Sequence, residues 1–112
     1  MLSKFDNLLQ IFYNHTMRRL ALLILLLNIN FCFASPEELS KQATAFYSDN
    51  NYAKTMELLL QIDEKKRSAQ DWLLLGNLLD EKGEKEQAVF MYQKALETDS
   101  KYYKAYYNIA NI

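Results

Sequence analysis

The sequence predicts an all-α fold, a short right-handed stack of antiparallel helical hairpins, and three observations lead there. Two glycines and one proline in 112 residues are too few for the turns of an all-β chain. From Leu39 onward, apolar residues recur at the spacing of one helix face. The stretch from Trp72 to Asn77 also returns 34 residues later: Trp72 falls on Tyr106, Leu75 on Ile109, Gly76 on Ala110 and Asn77 on Asn111. In the other direction Leu39, Ala43, Phe46 and Asn50 align with Trp72, Gly76, Leu79 and Gly83 at an offset of 33. A period near 34 with helical patterning inside it is the mark of repeated helix–turn–helix units.

Residues 1–34 read as a targeting segment. Arg18-Arg19 precede an apolar run, residues 20–33, that carries Asn28 and Asn30. At 14 residues the run is shorter than the roughly 20 apolar residues of a bilayer-spanning helix, and it matches the core of a secretory signal. Cys32 and Ala34 supply small side chains for a cut between Ala34 and Ser35. An uncut signal anchor is the alternative. A lipoprotein signal ending at Cys32 is disfavoured by Phe31 directly before it. Residues 1–16 lengthen the leader unusually. Met17 directly before the arginine pair points to a start there, the other reading being an amphipathic helix with Phe5, Leu8, Leu9 and Phe12 on one face. The product is expected outside the cytosol, periplasmic or envelope-associated. Membrane contact is expected only through residues 18–34, if they stay uncut.

Residues 35–112 form the folded part. Ser35-Pro36-Glu37-Glu38 is a helix start, with a capping serine, a first-turn proline and two carboxylates at the positive dipole end. Leu39, Ala43, Phe46 and Tyr47 follow at helical spacing, and Asp49-Asn50-Asn51 breaks the helix. Tyr52, Met56, Leu59, Leu60 and Ile62 carry a second helix, and residues 63–67 are a polar link. Ser68 and Asp71 resemble a capping box that opens a third helix. Gly83, free to adopt a left-handed conformation, ends it. Ala88, Val89, Tyr92, Ala95 and Leu96 form the face of a fourth helix, residues 98–101 are the next link, and a fifth helix begins at Tyr102 or Tyr103. Gly76 and Ala88 are expected at the crossing of the third and fourth helices, where bulk would keep the axes apart. In the fifth helix Tyr106 and Ile109 are expected to dock, leaving Ile112 uncovered. Such an uncapped end implies further repeats beyond Ile112 or pairing of two copies.

On these residues the chain resembles the tetratricopeptide repeat family. Trp72, Leu75, Gly76, Leu79, Gly83, Ala88, Tyr92 and Ala95 stand where that family places its signature aromatic, aliphatic and small residues. Ser100 replaces the usual proline, and Leu79 a common tyrosine. The likeness covers residues 36–68, 69–102 and the incomplete 103–112, about two and a third repeats. It implies a concave groove lined by the first helix of each pair, with Gln70, Leu73, Asn77 and Asp80 from the second repeat. The third repeat would add Lys104, Tyr107, Asn108 and Asn111, and the first Glu37, Ser40, Thr44 and Tyr47. Asn77, Asn108 and Asn111 are the sharpest peptide-contact candidates, because an amide both donates and accepts. Ser40, Thr44 and Leu74 occupy positions at which some relatives clamp a partner's C-terminal carboxylate, which argues against that activity.

Composition limits the alternatives. Residues 35–112 hold ten Lys and Arg against thirteen Asp and Glu. Their one basic cluster, Lys65-Lys66-Arg67, is expected to be a solvated loop and is too small to track a nucleic-acid backbone. His15 and Cys32 both precede the folded part, so a His/Cys metal cluster or a Ser-His-Asp triad cannot be assembled there. No cofactor, metal or small-molecule substrate is expected, and no catalysis. The expected function is an exported, non-catalytic module that binds a protein or peptide. The alternative is a self-associating piece of a longer repeat protein, held to the membrane by an uncut anchor.

Overall fold

The computed structural model describes residues 4–32 and 34–112, apart from the side chains of residues 4, 5, 9, 12 and 24–32. The chain divides into two units, Met1–Ala34 and Ser35–Ile112. The first contains α1 (Lys4–Cys32). Leu8, Ile11, Tyr13, Leu20, Leu22 and Leu23 are exposed on it. Of the proposed face of Phe5, Leu8, Leu9 and Phe12, only the Leu8 side chain is among those described, and the side chains of most of the apolar run lie outside them. Among the described residues no helix is long and apolar enough to cross a membrane.

The second unit is all-α: α2 (Pro36–Ser48), α3 (Tyr52–Gln61), a 3₁₀ turn (Glu64–Lys66), α4 (Ala69–Glu81), α5 (Lys85–Thr98) and α6 (Tyr103–Ala110). Short links fold α2 against α3 and α4 against α5 as antiparallel hairpins, and α6 packs on α5.

Local chemistry sets the helix ends. Ser35 Oγ accepts the Glu38 N–H at 3.1 Å, capping α2. Ser68 and Asp71 form a full capping box: Ser68 Oγ accepts the Asp71 N–H at 3.1 Å, and Asp71 Oδ2 accepts the Ser68 N–H at 2.9 Å. Both hairpin turns use one device. After α2, Asn50 takes φ 59°, with Asn51 N–H donating to Phe46 O and Asn50 N–H to Tyr47 O. After α4, Gly83 takes φ 81°, with Glu84 N–H donating to Leu79 O and Gly83 N–H to Asp80 O. A left-handed residue followed by this pair of bonds closes a helix by satisfying its last carbonyls.

The core draws on all five helices of this unit. Leu39 and Ala43 come from α2, Leu58 and Leu59 from α3, and Trp72, Leu74, Leu75 and Leu78 from α4. Ala88, Tyr92 and Ala95 are supplied by α5, and Ala105 by α6. Tyr92 is the largest side chain fully enclosed.

Four expectations change. A Cβ at Gly76 would come within 3.0 Å of the Tyr92 ring atoms Cε1, Cδ1 and Cζ. The missing side chain therefore makes room for an aromatic ring of α5, and Ala88 is not among the nearest neighbours. In α3 the inward stripe is Thr55, Leu58, Leu59 and Ile62. Leu60 falls off that stripe and is 60% exposed. Arg67 is not a solvated loop residue: its side chain is 7% exposed and its guanidinium carbon lies 4.8 Å from the centre of the Trp72 ring. In α6 the inward stripe is Tyr102, Ala105 and Ile109. Ala105, having little bulk, lets α6 approach closely, and Tyr106 is left half exposed beside it.

Candidate functional site

A cleft of about 580 Å³ opens across α2, α4 and α6. Thr44 and Tyr47 line it from α2, and Gln70, Leu73, Leu74 and Asn77 from α4. Tyr102, Tyr103, Lys104, Tyr107 and Asn108 line it from the start of α6 onward. These positions converge because helical spacing puts residues 70, 73, 74 and 77 on one face of α4. At an offset of 34, residues 104, 107 and 108 of α6 correspond to 70, 73 and 74.

Side-chain hydrogen bonds join these helices. Ser40 Oγ donates to the Asp71 carboxylate at 2.7 Å, and Gln70 Nε2 reaches Thr44 Oγ1 at 3.4 Å. Asn108 Nδ2 donates to Asn77 Oδ1 at 2.8 Å. Asn77 Oδ1 also accepts the Tyr92 hydroxyl at 2.8 Å, so the buried ring that fills the space beside Gly76 ends on a cleft residue. Burial, together with the nearby Asp80 charge, pushes the Tyr92 phenol up to about 12, with the Asn108 amide acting the other way.

Of the candidate groove residues, Gln70, Asn77, Lys104 and Asn108 line the cleft, as do Leu73, Tyr107, Thr44 and Tyr47. Asp80 and Asn111 do not. Asn111 instead donates to the Tyr107 carbonyl of its own helix at 2.9 Å, and Asp80 sits half-buried on α4. Glu37 and Ser40 are also outside it, Ser40 being committed to Asp71. Asn77 and Asn108 are partly occupied with each other, and each keeps half of its amide, Asn77 Nδ2 and Asn108 Oδ1, free for other contacts. Sequence reasoning missed Tyr102 and Tyr103 as lining residues, although two tyrosines at a helix start were a visible signal.

The signature positions are packing positions. Trp72, Leu75, Ala88, Tyr92 and Ala95 are buried, and Gly83 holds the positive φ of the turn. Ala34 and Ser35, the proposed cleavage pair, are exposed and outside regular helix. Among the described residues no group of His, Cys, Asp or Glu gathers that could hold a metal ion. No protein-family model matches the chain, and no curated protein matches it.

Proposed function

We propose that residues 35–112 are a non-catalytic interaction module of the tetratricopeptide type, a short right-handed solenoid that binds an extended peptide along the face of α2, α4 and α6. The observation that carries this reading is the cleft itself. Eight of the twelve side chains singled out as facing one groove, Thr44, Tyr47, Gln70, Leu73, Asn77, Lys104, Tyr107 and Asn108, line a single opening. Carboxamides can hold a peptide backbone through paired donors and acceptors, tyrosines supply apolar area with a polar tip, and Lys104 favours an acidic residue on the partner.

Residues 1–34 are, in the same proposal, an export signal cut between Ala34 and Ser35, delivering the module to the periplasm or cell envelope. The arginine pair, the short apolar run and the exposure of Ala34 and Ser35 support it. A second reading, self-association through α6, draws on the exposure of Tyr103, Tyr106 and Tyr107 on that helix.

A displayed peptide library selected on the protein, with counter-selection on a Gln70→Ala, Lys104→Ala, Tyr107→Ala variant, tests the groove. These three side chains lie outside the buried core, so the variant should stay folded. Peptides retained by the parent and lost by the variant are expected. Peptides that bind both equally would refute the groove.

A further inference from the structure

A second cleft, of about 500 Å³, lies between α3 and α5 with α4 as its floor. It shares no lining residue with the groove proposed above. Met56, Leu60, Leu75, Leu79, Phe90 and Met91 give it an apolar lining, and Arg67, Lys94, Glu64 and Gln87 bring polar groups to it.

Arg67 is the anomaly. Its side chain is 7% exposed, yet its Nε is buried without a hydrogen-bond partner. The anion beside it, Glu64 Oε1, stands 3.9 Å from Nη1 on a side chain that is 78% exposed, beyond hydrogen-bonding range. A guanidinium carries five donors, and enclosing one is costly unless it is paired and hydrogen-bonded. The guanidinium carbon of this one lies 4.8 Å from the centre of the Trp72 ring, and its Nε makes no hydrogen bond. Lys94 on the facing helix is held at 3.1 Å by Glu97 and lies 5.5 Å from the Phe90 ring centre.

We infer that this cleft binds an amphiphilic monocarboxylate, its head group on the edge of Arg67 near Lys94 and its alkyl chain along Met56, Leu79 and Phe90. A carboxylate matches a guanidinium edge through two parallel hydrogen bonds, and a cleft of this size suits a small ligand. The class goes beyond the sequence expectation, which foresaw only protein or peptide partners.

Trp72 is the one tryptophan of the chain and lies under Arg67, so its emission reports on the site directly. Decanoate is titrated into the full chain in detergent-free buffer, below the concentration at which decanoate self-associates, with decanol and decyltrimethylammonium as controls. Decanoate should shift the emission saturably, and the two controls should bind about tenfold more weakly or worse, the order expected from one charge-assisted hydrogen bond. Arg67→Met keeps the apolar stem over Trp72 and should bring decanoate down to the affinity of decanol while leaving decanol unchanged. Equal binding of decanoate and decanol by the parent, no saturable shift, or undiminished decanoate binding by a folded Arg67→Met variant would each overturn the inference. If that variant loses its helical circular dichroism, the decanoate-to-decanol ratio of the parent decides alone.

Discussion

The Ser40 hydroxyl rests on the carboxylate of Asp71, 2.7 Å from Oδ1 and 2.8 Å from Oδ2. Asp71 is 1% exposed and also closes the capping box at the start of α4. One buried side chain therefore caps a helix and ties α2 to it. Asp71→Ala removes both roles and should destabilise the domain by about 1–3 kcal/mol, the range for a lost cap and an unpaired buried group. Urea unfolding measures it, and an unchanged midpoint would contradict the dual role.

Gly76 and Tyr92 give a prediction whose sign opposes helix propensity. Alanine in place of a mid-helix glycine normally gains about 1 kcal/mol. Here the new Cβ would meet the Tyr92 ring, so Gly76→Ala should instead destabilise by about 1–3 kcal/mol, the usual cost of overpacking. In a Tyr92→Ala background the same substitution should become neutral or stabilising. A double-mutant cycle by thermal unfolding reads this directly, and additivity would show that the two positions do not touch.

The two hairpin turns put different residues in the left-handed conformation, Asn50, whose Oδ1 accepts the Tyr52 hydroxyl at 3.2 Å, and Gly83. Gly83→Ala introduces no clash, since nothing lies within 4 Å of the new Cβ, yet the backbone strain should cost about 1–2 kcal/mol. Asn50→Gly, at the equivalent turn, should leave stability within about 0.5 kcal/mol, because asparagine tolerates that region nearly as well. Equal effects at both turns would mean that φ is not the controlling variable.

Much of this was legible in the sequence because the determinants were local. The caps at Ser35 and Ser68 and the breaks at Asn50 and Gly83 act within one helix or its turn. What was hidden depends on contacts between helices far apart in sequence. No periodicity reveals that Tyr92 fills the space beside Gly76 and ends on Asn77, that Asp71 receives Ser40, or that Arg67 is covered while Tyr106 is not. Groove residues were legible by spacing along α4 and α6, but Asp80 and Asn111 lay one turn too far along, beyond the opening.

Alkaline pH should loosen the hairpin of α4 and α5. The Tyr92 phenol is raised to about 12, with burial as the main cause, above its ordinary value near 10. A phenol whose folded value is raised contributes stability in its neutral form. That stability is fully present below about pH 10 and lost as pH climbs through about 12. Tyr52 and Tyr102 are raised in the same direction, each mainly by burial, so three phenols act together. The melting temperature should fall between pH 10 and 12, and fall less for Tyr92→Phe than for the parent. Tyr92→Phe should itself cost about 1 kcal/mol at neutral pH through the lost bond to Asn77. An identical alkaline slope in both proteins would rule out Tyr92 as a source.

The most direct test of the peptide-groove proposal is an amide and side-chain NMR map of the protein titrated with a peptide from the library selection. The account predicts saturable shifts concentrated on Thr44, Gln70, Leu73, Asn77, Lys104 and Asn108, with the Asn77 and Asn108 side-chain amides among the largest. Shifts confined to α3 and α5, or none at all with a peptide that binds, would contradict it.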